Sequence, residues 1–320
     1  MLQNSHYIIS SLLMFILVIL FIMVSVAFFT LFERKMMALF HYRKGPNKIG
    51  IMGLMQPFSD AMKLLSKEFF LPFMSNFMIY MLSPMFMIII SIMMWMIYPF
   101  LTNMLNFKMN TLFFLCIMSM GVYSLMLMGW SSNSSFSMIG AIRSIAQSIS
   151  YEVIFTITLL IMMCMINSLK LNNLLNYSKY LMLLILFYPI MMILLISMLA
   201  EINRTPFDLS EGESELVSGF NVEYGESKFT LIFLSEYATL LLMMYLITMI
   251  FFSLNYLNIM FYMLFFMNLF LITWIRMTFP RIRYDMLMFI CWFFFLPLTL
   301  INYMMYLFFI KLPMELLFLN

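Results

Sequence analysis

Charged residues are scarce in this chain. Lys and Arg number 17 and Asp and Glu 14 among 320 residues, which is 10% in total. Hydrophobic residues make up 65%, and the mean hydropathy is +1.02. This composition is typical of helical proteins with several membrane spans and excludes an ordinary soluble domain. The sequence therefore predicts an all-α, polytopic membrane protein.

Cysteine and histidine, the usual ligands of metal centres, are also rare. Cys116, Cys164 and Cys291 lie far apart in apolar stretches, so no CxxC pair offers an iron–sulfur or zinc site. Neither His6 nor His41 lies in a span where it would ligate haem. The chain also lacks a P-loop and a GxGxxG motif after a strand, so neither a nucleotide nor a nucleic acid is an expected ligand. Any electron carrier should come from elsewhere.

Eight apolar stretches are long enough to cross a bilayer, because about 20 helical residues cover a hydrocarbon core of about 30 Å. They are approximately residues 8–32, 77–98, 111–130, 143–166, 180–199, 230–253, 259–276 and 286–309. We therefore predict a single membrane domain over residues 1–320 with about eight transmembrane helices and one interfacial amphipathic helix.

The loops after the odd-numbered spans hold most of the charge. Thirteen of the seventeen cations lie in these loops or at their helix ends, and so do eleven of the fourteen acids. The positive-inside rule explains the cations but not the acids, which contribute little to topology. A face rich in both signs indicates a docking surface or a polar reaction chamber.

The segment after the first span contains an amphipathic helix at about residues 51–69. Its apolar members are Leu54, Met55, Phe58, Met62, Leu65 and Phe69, which recur at helical spacing opposite Gln56, Ser59, Asp60, Lys63 and Lys67. Two interpretations stand side by side. The helix is either a surface anchor held by anionic lipid or the rim of a portal for an amphipathic, lipid-soluble substrate.

Two carboxylates fall inside predicted spans. Glu152 lies nine residues past Arg143, about 13 Å along the helix axis, and Glu236 lies in the sixth span. A charge there costs about 2.5 to 3.5 kcal/mol, so such residues usually face a cavity or a partner. We favour a proton relay over neutral packing groups, with Glu201 at the end of the fifth span joining the two to the loop that follows.

That loop, at about residues 201–229, places seven carboxylates against two cations. The seven are Glu201, Asp208, Glu211, Glu213, Glu215, Glu223 and Glu226. Crowding raises the cost of ionising each one, which suits a protein that moves protons or cations. Pro206 should end the preceding helix near Asn203. A solvated acidic loop is the alternative.

Three functions remain open on these residues alone: a proton-coupled membrane subunit, a cation or solute transporter with a midplane carboxylate site, and a structural membrane anchor. A transporter is expected to show an inverted repeat, and the sequence has no convincing internal duplication. An anchor leaves Glu152 and Glu236 without a purpose.

The polar segments, taken together, resemble the chain 1 subunits of mitochondrial NADH:ubiquinone oxidoreductase, respiratory complex I. The resemblance covers nearly the whole chain. It is carried, in order, by ERK with RKGPNK, QPFSDAMKLLSKE, SYEV, AEINRTPFDLSEGESELVSGFNVEY, SEYA and WIRMTFPRIRYD. Gly225-Glu226-Ser227-Lys228 departs from the small neutral residues expected there, so Glu226 is assigned no role.

The resemblance implies a multi-pass subunit of the mitochondrial inner membrane whose charged loops, after odd-numbered spans, face the matrix and the peripheral arm. It assigns a proton relay to Glu152, Glu201 and Glu236 and a quinone-side acidic loop to Asp208, Glu211, Glu213 and Glu215. It assigns a ubiquinone chamber to Arg34, Phe58, Asp60, Phe220 and Phe233. Ubiquinone is then the substrate, and flavin, iron–sulfur clusters and haem are not expected in this chain. The expected partners are membrane lipid and other complex I subunits, including the quinone-site and terminal iron–sulfur subunits.

Overall fold

The computed structural model describes residues 2–68, 70–100, 107–174, 183–209, 219, 224–252 and 258–308, apart from the side chains of residues 2–5, 165 and 186. The described residues form helices and turns and contain no β-strand. Within the described ranges, seven helices are long and apolar enough to cross a membrane, and an eighth apolar helix is shorter. The predicted all-α, polytopic fold is therefore confirmed.

Nine helices of ten or more residues make up most of the described chain. They are α1 Leu2–Phe40, α2 Gln56–Leu65, α3 Phe77–Met94, α4 Asn110–Ser131, α5 Ser135–Ile166, α6 Tyr188–Glu201, α7 Glu226–Phe251, α8 Ile259–Thr278 and α9 Tyr284–Tyr306. Residues Ile290–Phe295 of α9 form a π-helix. All but α2 coincide with the predicted spans.

The start of α5 lies before the apolar span that hydropathy predicts. The helix begins at Ser135, eight residues before the predicted span, because the side chain of Ser134 accepts a hydrogen bond from the Ser137 backbone N–H and caps the first turn. Hydropathy finds the apolar length, whereas the cap decides where the helix starts.

Helix α7 is the centre of the bundle. It packs against α1, α2, α3 and α8, and every residue from Leu240 to Phe251 is buried. A helix that is apolar on all sides is stable only when neighbours surround it. On one side of α7, α3 packs on α4, α4 on α5, and α5 on α6.

The amphipathic helix is shorter than predicted. Of residues 51–69, Ile51–Gly53 form a 3-10 turn and Gln56–Leu65 form α2, while Phe69 lies outside the described residues. The segment leaves the helix at Ser66, where the apolar periodicity of the sequence still continues. Periodicity alone therefore overestimated its length.

The polar residues near the start of α2 face α1. Gln56 and Asp60 are half-buried on the side of α1, whereas Phe58, Met62 and Leu65 are 48%, 71% and 59% exposed. This is opposite to the usual arrangement of a helix on a soluble domain. Met62 and Leu65 are thus left for lipid or another subunit, while Asp60 pairs with Arg34 of α1.

Helices α4 and α5 approach each other closely at Gly129. A Cβ added to Gly129 would overlap the Cβ of Ala141 and would lie 3.2 Å from the Ser137 carbonyl oxygen. Small residues at such crossings allow membrane helices to pack with their backbones close together. Gly129 is therefore a packing requirement of the fold.

We predict that Gly129→Ala lowers the stability of the assembled protein by about 1 to 3 kcal/mol, because the added methyl group pushes α4 from α5. The thermal midpoint of the purified complex measures this. The double variant Gly129→Ala with Ala141→Gly moves the methyl group to the facing helix and should restore most of the loss. A double variant less stable than the single one would contradict the proposed contact.

Candidate functional site

A buried carboxylate on α1 joins four separate parts of the chain. Glu33 is 2% exposed, and it accepts hydrogen bonds from Arg204, from Arg276 Nη1 at 2.6 Å and from the Tyr237 hydroxyl at 2.7 Å. Arg204 follows α6, Tyr237 lies on α7 and Arg276 on α8. Two guanidinium groups and a phenol thus compensate one carboxylate that has lost its water.

The end of α6 explains how Arg204 reaches this cluster. Asn203 adopts a φ of 54°, a left-handed conformation that Asn tolerates well, and the Arg204 N–H donates to the Leu199 carbonyl oxygen at 3.3 Å. The helix therefore stops as the sequence predicted. Burial alone would lower the pKa of Arg204, but Glu33 and Tyr237 raise it above its usual value, so this guanidinium stays charged.

An internal cavity of about 100 Å³ lies beside the cluster. Its ionisable lining consists of Glu201, Arg204, Asp208, Glu236 and Arg276, and its neutral polar lining includes Ser91, Ser124, Ser148 and Thr239. A cavity of this size and polarity has room for several water molecules. The lining thus combines three carboxylates with two guanidinium groups, and both guanidinium groups also pair with Glu33.

The structure brings the three predicted relay residues together. Glu201 and Glu236 both line the cavity, and Glu152 on α5 is close enough to Glu201 for the two carboxyl groups to interact electrostatically. Oε2 of Glu201 is buried and has no hydrogen-bond partner among the described residues. Gln147 fixes α5 against the end of α6, because its Nε2 donates to the carbonyl oxygens of Ala200 and Phe207 at 2.8 Å each.

The start of the acidic loop is held by the segment between α8 and α9. Buried Asp208 pairs with Arg281 at 3.2 Å, and the Ile282 N–H donates to the Pro206 carbonyl oxygen at 3.0 Å. The arginines after α8, which serve by default as a positive stop, therefore also counter carboxylates. The predicted loop residues Glu211, Glu213 and Glu215 lie outside the described residues.

Four of the five predicted chamber residues lie where α1, α2 and α7 meet. Arg34 Nη1 is 2.7 Å from Asp60 Oδ2, and Gln56 Nε2 donates to Asp60 Oδ1 at 2.8 Å. The Phe58 ring packs edge-on against Phe28, with centroids 6.0 Å apart. On α7, the centroid of Phe233 is 4.3 Å from that of Phe229 and 6.3 Å from that of Tyr237. Phe220 lies outside the described residues.

The sequence interpretation missed Glu33 as a site residue. A usable signal was present, since Glu33 is the first charge of the chain and falls within the long apolar helix α1. Ionisable residues inside membrane helices are functional or structural sites by default. Its partners Arg204 and Arg276 are 171 and 243 residues away in sequence, which no local pattern reveals.

Comparison with known proteins identifies the family of this chain. The family described as NADH dehydrogenase matches residues 13–307. NADH-ubiquinone oxidoreductase chain 1 of Aedes aegypti is 46% identical over 291 residues, which cover 91% of this chain and 93% of that protein. The chain 1 proteins of Locusta migratoria, at 46% over 286 residues, and Hylobates lar, at 43% over 298, cover 89% and 91% of this chain and 91% and 94% of their own lengths. The chain therefore belongs to the family of NADH-ubiquinone oxidoreductase chain 1 proteins.

Proposed function

We propose that this chain is the core membrane subunit of a proton-pumping NADH:ubiquinone oxidoreductase that forms the ubiquinone chamber and couples quinone reduction to proton translocation. The observation that carries the proposal is the polar cavity, in which Glu201 and Glu236 meet beside Glu152 and behind the Glu33 cluster. The family relationship supplies the enzyme to which the subunit belongs.

The chamber would lie where α1, α2 and α7 meet, with α8 beside them. Aromatic rings of Phe58 and Phe233 offer apolar contacts for an isoprenoid tail, and the Arg34–Asp60 pair offers polar groups for a ring. A mainly apolar pocket with a few fixed polar groups is the usual form of a ligand site. Phe220 and the acidic loop with Asp208, Glu211, Glu213 and Glu215 would complete its matrix side.

The coupling chemistry is electrostatic. Two electrons from an iron–sulfur cluster of a neighbouring subunit leave negative charge on the quinone, which two protons neutralise. In a low-dielectric interior that change of charge is felt at distances over which water would screen it. Carboxylates in the cavity would respond by taking up or releasing protons, and Glu152, Glu201 and Glu236 would pass the response toward the pumping subunits.

The charge distribution supports the placement of the subunit. The charged loops after α1, α4, α6 and α8 would face the matrix and dock the peripheral arm, including the quinone-site and terminal iron–sulfur subunits, in a multi-pass protein of the mitochondrial inner membrane. The exposed apolar surfaces of α1, α8 and α9 would contact membrane lipid.

We predict that Glu152→Gln lowers proton pumping and quinone-linked NADH oxidation about tenfold or more while the complex still assembles, because the amide keeps the volume but carries no exchangeable charge. Pumping is measured in proteoliposomes that contain the complex. The control is Asp285→Asn, whose side chain is 72% exposed and remote from the cavity lining. Parent-like pumping by Glu152→Gln would rule out its place in the relay.

We predict that Glu33→Gln destabilises the complex by about 3 kcal/mol, because Arg204 and Arg276 then face each other without a counter-charge. The value lies at the low end for a buried pair since Arg276 keeps 34% of its side chain exposed. The temperature of activity loss in the purified complex measures the effect. Arg283→Gln breaks a solvent-exposed pair and serves as the control, with little change expected. Equal losses in both variants would contradict the special role of Glu33.

A further inference from the structure

Another buried carboxylate lies at the first residue of α7. Glu226 is 9% exposed, and its Oε1 accepts the backbone N–H of Phe70 at 2.5 Å. The residue has a φ of 60°, a conformation in which a side chain with a Cβ is strained. Strain of this kind persists only where the surroundings hold it. Here the bond to Phe70, 156 residues away in sequence, is the visible contact that does so.

The segment that Glu226 holds connects α2 to α3. Its side chains point mostly outward, since Phe70, Phe73 and Met74 are 72%, 98% and 79% exposed. Little apolar burial fixes this segment, so its hydrogen bonds matter more. Beyond the Phe70 N–H, they include the Asn76 N–H to the Ser131 carbonyl oxygen at 2.9 Å, next to the start of α3.

The residues around Glu226 at the start of α7 are buried and packed against α3 and α4. Lys228 is 4% exposed, its Nζ lies 4.3 Å from the centroid of the Tyr80 ring, and it attracts Glu226 electrostatically. Tyr80 stacks on Tyr224 with centroids 4.4 Å apart, and the Tyr224 hydroxyl is 2.9 Å from Ser131 Oγ. This group joins α3, α4 and the start of α7, and burial raises the pKa of the Tyr224 hydroxyl, which therefore stays neutral.

The contact lies close to the chamber in the chain. Phe70 is five residues past Leu65, the last residue of α2, so the end of α2 is confined to about 17 Å from the tether. Phe229 and Phe233 are three and seven residues past Glu226, about one and two turns along α7. The bond between Phe70 and Glu226 therefore limits how far the end of α2 can lie from the start of α7, which carries these rings.

We propose that Glu226 is a positioning residue that ties α2 to the start of α7 through the Phe70 N–H and so sets the opening by which a long quinone tail enters. The inference rests on the proposed function for its substrate. It gives the Gly225-Glu226-Ser227-Lys228 segment a role that the family pattern does not supply.

Glu226→Gly is the sharpest variant because glycine adopts a φ of 60° without strain, so the backbone is relieved while the carboxylate is lost. In the intact complex, hydrogen–deuterium exchange at the Phe70 amide should become about tenfold faster. The KM for a quinone with a long isoprenoid tail should rise about threefold or more, while kcat and the KM for a short-tailed analogue stay unchanged.

Two further variants complete the design. Glu226→Gln keeps an acceptor oxygen without the charge and should fall between the parent and Glu226→Gly in both exchange and long-tail KM. Ser227→Ala, at the exposed neighbouring position, should match the parent. If Glu226→Gly fails to assemble, the comparison of Glu226→Gln with the parent decides the matter by the same two measurements.

Unchanged exchange at Phe70 in both Glu226 variants would overturn the tether. Faster exchange with an unchanged long-tail KM, or an equal rise for long-tailed and short-tailed quinones, would overturn the positioning role. A failure of the proposed function is distinguished by a separate measurement. Parent-like pumping by Glu152→Gln would count against that function whatever the exchange rate at the Phe70 amide.

Discussion

The ionised Glu33 carboxylate, held away from water by two guanidinium groups and a phenol, is the interaction on which the arrangement of the site depends. A buried carboxylate is tolerated only with such compensation, so α1, α7, α8 and the turn after α6 must converge at one point. The same convergence places Arg204 and Arg276 in the lining of the polar cavity, which Glu201 and Glu236 also line.

The Glu33 cluster offers a physical route from the chamber to the relay. Arg34 follows Glu33 directly in α1 and pairs with Asp60 of α2, so groups on the chamber side and on the cavity side are attached to one helical turn. Negative charge near Arg34 would change the electrostatic potential at Glu33 and at the two arginines that line the cavity. The Arg34–Asp60 pair holds α2 against α1, and the exposed apolar residues of α2 are equally suited to contact lipid.

Much of the fold was predictable, because a membrane span requires a run of apolar residues. Each predicted run coincides with a helix. The placement of Glu152, Glu201 and Glu236 near one cavity also followed from their position inside or at the end of spans. The sequence could not predict which side chains contact one another. Charges at helix ends predict topology and not partners, so Arg276 and Arg281 looked like stop signals, and the contact of Glu226 with Phe70 had no local signal. The start of α5 was missed because a cap, not hydropathy, sets it.

The central claim is that the cavity carboxylates change protonation when quinone is reduced. Infrared difference spectroscopy of the intact complex, triggered by quinone reduction, reports the carbonyl stretch of protonated carboxyl groups directly. A carboxyl band is expected in the parent that disappears or shifts in Glu201→Gln and remains in Asp285→Asn. Identical difference spectra for the parent and Glu201→Gln would show that Glu201 does not change protonation.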